Sequence, residues 1–151
     1  MILHRIVHPD FPAPFDGEGA RLHGGRWNPR GVPMLYYATT LALAALEKRV
    51  HVPAPALGRL WLAIAVEVPD ALVPLADPAG LPPAWHAQPA PDATKAYGAQ
   101  WAAALTSLGL RLPSIIIRSE HLALLNPLHP DLRRARHLGT TEFRFDERLA
   151  R

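Results

Sequence analysis

The sequence predicts an α+β fold. Three observations predict it: several short segments read as strands, two longer ones read as helices, and no regular strand–helix–strand rhythm of a doubly wound fold joins them. The chain has 151 residues, the size of one domain. Apolar residues make up 49% and charged residues 19%, so the chain has the composition of a folded core and not of a disordered segment.

Residues 2–7 (ILHRIV) read as the first strand. Residues 9–33 are rich in Pro, Gly and Asp, with GEGA, GGRWN and PRG in succession, and read as one long loop. So long a loop in a compact domain is more often functional than idle. Residues 34–38 (MLYYA) read as a strand. Thr39 or Thr40 can cap a helix over 41–51, which stops before Pro53. Residues 60–67 (LWLAIAVE) read as a buried strand, and the proline-rich stretch 69–92 as a surface excursion. A second helix is predicted over 93–108, a β-branched strand over 112–119 (LPSIIIRS), a turn-rich segment over 124–131 and a last strand over 141–146 (TEFRFD).

Composition excludes several function classes. There is no cysteine, hence no disulfide scaffold, cysteine-ligated zinc, iron–sulfur cluster or cysteine nucleophile. The eight histidines have no metal-site spacing, so no metal is expected. There is no phosphate-binding Walker loop and no dinucleotide fingerprint, because GEGARLHGG is followed by more loop. No apolar run is long enough to span a bilayer, and MILHRIVHPD does not read as a signal peptide. A cytoplasmic protein with no membrane contact is expected. Net charge is only +3, so nucleic-acid binding is not expected; Arg133, Arg134 and Arg136 read as a solvated face.

A few residues remain as candidates for chemistry. Glu47 lies in an otherwise apolar helix, where a carboxylate must be paired, protonated or used. His51 follows at i+4 on the same face. The competing reading is a carboxylate turned to water beside Lys48 and Arg49. Arg26 follows two glycines, which lets its guanidinium fork onto a phosphate or carboxylate. Arg5 alternates with Leu3 and Val7 and needs an anionic partner, for which Glu47 or Asp16 would serve. Tyr36 and Tyr37 point to opposite faces, so one of them at most should look into a given pocket. Ser114 lacks a nucleophile elbow, which argues against a serine hydrolase.

The order of these elements resembles the RES-domain family. The likeness is carried by GEGARLHGGRWNPRGVPMLYYATTLALAALE, with eleven residues from Tyr36 to Glu47, and by LPSIIIRSEHLALLNPLHPD. The family is named for an arginine, a glutamate and a serine, matched here by Arg26, Glu47 and Ser114. The resemblance implies a single RES domain over 1–151, with a fold similar to ADP-ribosyltransferases and a mixed or antiparallel central sheet flanked by helices. It implies a toxin of a type II toxin–antitoxin pair that uses NAD+ as substrate. The expected reaction cleaves the nicotinamide–ribose bond, as a glycohydrolase or phosphorylase. A mono-ADP-ribosyltransferase or an inactive binding module are the alternatives. The implied catalytic residues are Glu47, Arg26 and Ser114, and NAD+ would be held by Arg5, Arg26, Tyr36, His51 and Ser114. The implied partner is an Xre-like antitoxin in a hetero-oligomer.

Overall fold

Six strands pair into one antiparallel sheet in the order β4-β5-β2-β1-β3-β6. The structure is a computed structural model and describes residues 1–150. The strands are β1 (Ile2–Val7), β2 (Leu35–Ala38), β3 (Trp61–Glu67), β4 (Gly109–Pro113), β5 (His121–Leu125) and β6 (Arg136–Phe143). Among the described residues four α-helices accompany them: α1 (Glu18–His23), α2 (Leu41–Arg49), α3 (Ala54–Leu57) and α4 (Asp92–Ala104). The α+β expectation holds, with every strand pair antiparallel. Among the described residues no helix is long and apolar enough to cross a membrane.

Alternation along the strands sorts side chains between the two faces. Leu3, Val7, Ile64 and Val66 pack with Leu35 and Tyr37 on one face. Ile6, Ala63 and Trp61 pack with Leu43 and Ala44 of α2 on the other. A third cluster joins Trp27, Met34, Leu112, Leu124 and Ala102 of α4. Thr40 caps α2: its Oγ1 accepts from the Leu43 N–H at 3.1 Å. Gly98 sets the seat of α4, because a Cβ there would lie 1.8 Å from the Trp27 carbonyl oxygen.

Three predicted elements are displaced. The loop over 9–33 contains the short helix α1. The strand predicted over 112–119 ends at Pro113 and begins earlier, at Gly109. Gly109 fits flush against its neighbours, where a Cβ would come within 2.6 Å of Leu125 Cδ2. Residues 114–120 instead form a loop closed by the Ser114 N–H bonding to the Glu120 carbonyl at 2.9 Å. Its three isoleucines are half-buried under the site and pair with no strand. The last strand covers Arg136–Phe143 rather than 141–146. It is an exposed edge strand, so hydrophobic patterning marks only its end.

One feature of the sheet positions the site. The ladder between β1 and β2 consists of a single registered pair, His4 opposite Ala38. By contrast, β1 and β3 pair over six residues. The sheet therefore parts between β1 and β2, and the gap opens into a cavity.

Candidate functional site

The cavity has a volume of about 910 Å³, at the upper end of the range for ligand clefts. It is lined by β1, β2, the end of α2 and the glycine-rich segment around Arg26. Among the described residues Glu47 is the only carboxylate on its wall, which also carries Arg5, Arg26, Lys48 and three histidines, His4, His23 and His51. Tyr36 and Tyr37 both line it, against the expectation of one at most. The reason is that the cavity lies in the gap between two strands and not over one face of the sheet.

Glu47 sits in the last turns of α2 and is half-buried. Its Oε1 accepts a hydrogen bond from the Ser114 hydroxyl at 2.8 Å. Burial raises its pKa above the ordinary carboxylate range, while Ser114, His51 and Arg26 pull it down. Ser114 is fully buried, and its Oγ also accepts from the backbone N–H groups of Ile116 and Ile117 at 3.0 and 3.1 Å. That places Ser114 behind Glu47 and off the cavity wall. In this arrangement the Ser114 hydroxyl holds the Glu47 carboxylate in place.

Removing the hydroxyl should show this. Ser114→Ala is expected to destabilise the protein by ~1–3 kcal/mol, because two half-buried N–H groups lose their acceptor. It should also shift the acid limb of the pH–activity profile upward, since the hydrogen bond that lowers the Glu47 pKa is gone. Thermal denaturation and a pH–rate profile check the two effects.

Arg26 is tied to a second loop. Its Nη1 donates to the carbonyls of Trp85 and Ala87, both at 2.9 Å. It forms no ion pair among the described residues. Burial lowers its pKa, and Glu47 is the first of the groups that raise it. Trp27 does not stack on it; Trp27 is buried against Trp85 and Tyr97.

Tyr36 stands at the centre of a network that sequence reasoning missed. Its hydroxyl donates to Asn28 Oδ1 at 2.6 Å and accepts from the Trp27 N–H at 3.0 Å. Asn28 is fully buried, and its Nδ2 donates to the carbonyls of Ala20, Pro29 and Val32. Asn28 thus folds the glycine-rich segment onto Tyr36 and fixes Arg26. Gly25 must be glycine, because a Cβ would meet the Tyr36 hydroxyl at 2.5 Å. The signal in the sequence was a lone amide inside a glycine-rich stretch next to a tryptophan, which by itself reads as a turn residue.

Arg5 lies with its Cζ 5.6 Å from the Tyr37 ring centroid. Neither Glu47 nor Asp16 pairs with it, and its Nη1 is buried with no partner. Burial raises the Tyr37 pKa to about 12, and its hydroxyl donates to the Pro14 carbonyl at 2.6 Å. His51 lies two residues beyond α2, exposed at the cavity rim. Elsewhere the turn-rich segment 124–131 is held by its own side chains: His129 Nε2 bonds the Leu105 carbonyl at 3.1 Å, and Asn126 donates to the Ala102 carbonyl. Of the arginine cluster, Arg134 and Arg136 reach Asp131 and Glu67.

Fold and site together define an α+β protein whose split antiparallel sheet holds one aimed carboxylate among unpaired cations. The chain belongs to the RES-domain family, whose model matches residues 2–146. It is 37% identical over 138 residues to a protein of Sphingobium sp. (strain YBL2) named Prs ADP-ribosylating toxin, covering 89% of this chain and 86% of that one. It is 34% identical to Toxin Res of Yersinia enterocolitica, over 99% of both chains. Its fold is similar to that of a chain in the solved M. tuberculosis MbcT–MbcA toxin–antitoxin complex, with a TM-score of 0.76 and 19% identity over 95% of this chain and 84% of that one.

Proposed function

We propose that this chain is the toxin of a toxin–antitoxin pair and that it cleaves the nicotinamide–ribose bond of NAD+. The observation that carries the reading is the single carboxylate of the cavity, Glu47, aimed by Ser114 and set among cations. Nicotinamide is a cationic leaving group and departs neutral with the electron pair of the C–N bond. It needs no general acid, so one carboxylate suffices where ordinary glycosidases use two. Glu47 would stabilise the oxocarbenium-like ribose. A charge pair at ~4 Å is worth about 4 kcal/mol at an effective dielectric of 20, or a ~10³-fold effect on rate. Arg26 and Arg5 would neutralise the phosphates, Tyr36 would pack on the nicotinamide, and His51 would stand at the entrance for the acceptor.

Water as acceptor makes a glycohydrolase, with its proton passing to solvent, and inorganic phosphate makes a phosphorylase. The second reading is a mono-ADP-ribosyltransferase, favoured by the printed name of the Sphingobium relative. The partner in all three cases is an Xre-like antitoxin that covers the cavity. Purified protein incubated with NAD+, with and without phosphate, should release nicotinamide, and mass spectrometry of the remaining ADP-ribosyl product identifies the acceptor. Intact NAD+ under every condition, including with candidate protein acceptors, would leave a binding module.

A further inference from the structure

The cations of the cavity fall into two groups. Arg26 and His51 act on Glu47. Arg5 and Lys48 are not among them: Arg5 lies over the Tyr37 ring, and its charge bears on Lys48 in the same cavity. Lys48 lines the same cavity and rests with its Nζ 4.7 Å from the Trp61 ring centroid. The sequence gives no reason to single it out, since it reads as a solvated cation near a helix end. In the structure it is half-buried, and neither it nor Arg5 has an ion pair among the described residues. Arg5 keeps a buried Nη1 with no hydrogen-bond partner. Glu47 accepts from the Ser114 hydroxyl and Asp16 from the Glu18 N–H, and neither carboxylate pairs with Arg5 or Lys48.

Two part-buried cations on one cavity wall, with no ion pair among the described residues, are unfavourable in the ligand-free protein. Burial, followed by the charge of Arg5, lowers the Lys48 pKa. The aromatic faces of Trp61 and Tyr37 offset only part of this cost. An anion that reaches both groups would remove it. A monoanion would satisfy one; a diphosphate carries charge and acceptors for both.

We propose that Lys48 joins Arg5 in an anion pole which, with Arg26, takes the diphosphate of a dinucleotide. This rests on the NAD+ reading above and adds Lys48 as a binding residue. A role in packing alone would not give Lys48 the two opposed effects that follow. Lys48→Met keeps the apolar stem over Trp61 and deletes the charge. It should raise the melting temperature of the ligand-free protein and weaken ADP binding at least tenfold. Binding of nicotinamide, which lacks phosphate, should stay within twofold. Lys48→Arg should recover most of the ADP affinity.

Isothermal titration with ADP and with nicotinamide, together with thermal denaturation, reads all of these. ADP affinity within twofold of wild type in Lys48→Met would overturn the proposal, as would a melting temperature that falls along with the affinity for both probes. The two readings fail separately. NAD+ turnover with ADP binding indifferent to Lys48 sinks only the anion pole. Lys48-dependent ADP binding without any NAD+ turnover keeps the pole and sinks the proposed reaction.

Discussion

Glu47→Gln is expected to keep the fold and to reduce NAD+ loss by ~10²–10³-fold, the size of effect seen when one preorganised electrostatic group is removed from a transition state. Gln retains an Oε1 that can accept from the Ser114 hydroxyl. What it lacks is the negative charge opposite the ribose cation. Stability should move the other way. Burial raises the Glu47 pKa, so folding favours the protonated form more than the unfolded chain does. The stability linked to this group is present below the ordinary carboxylate range and is lost as pH rises through the raised value. At neutral pH Glu47 therefore costs stability, and the variant should melt no lower than wild type. Nicotinamide release and calorimetry on the same preparation check both sides. Turnover near the wild-type rate would refute the proposed role of the carboxylate.

Arg26→Lys is expected to be nearly as damaging, although charge is conserved. The arginine uses one nitrogen, Nη1, on two carbonyls of the 85–87 loop and keeps its other nitrogens for a ligand. Lysine has a single ammonium on a flexible stem and cannot hold the loop and an anion in a planar fork together. Loss of one or two charge-assisted hydrogen bonds, each worth ~1.5–3 kcal/mol, predicts a fall in kcat/KM of roughly one to three orders of magnitude. The rise should appear first in KM. Unchanged KM and kcat in steady-state assays would place Arg26 outside the binding cavity.

The parts of the fold that the sequence made legible are those set by local rules. The helix after Thr40 follows from its cap and from the proline at position 53, and β1 and β3 follow from short apolar runs. The misplaced strand shows where local rules stop. Ile115, Ile116 and Ile117 have strong strand propensity, yet Ser114 turns the chain there to bring its hydroxyl to Glu47. Tertiary demand overrode propensity at the position the site needed. β5 (His121–Leu125) was hidden because its pairing with β2 and β4 is long-range and its flanks read as turn.

The site was legible through motif order, which pointed to Arg26, Glu47, Tyr36, His51, Arg5 and Ser114. Five of these line one cavity and the sixth supports Glu47 from behind. Asn28 and Lys48 were not legible, because an amide's burial and a lysine's missing counter-ion are properties of three-dimensional surroundings. The expectation of a counter-ion for Arg5 failed for the same reason, and that failure exposed the unpartnered guanidinium.

The single-pair junction between β1 and β2 has a mechanical consequence. The sheet is effectively two three-stranded leaves, β4-β5-β2 and β1-β3-β6, stitched by one residue pair. Spreading the leaves breaks one pair's hydrogen bonds, at ~1 kcal/mol net for each, and not a whole ladder. The apolar contacts of Leu3 and Val7 with Leu35 and Tyr37 form the spine that keeps the leaves together. The molecule is thus built like a book, compliant at the page edge and firm at the binding. A ligand that touches both leaves acts as a clasp and makes the stitched sheet unfold as one unit.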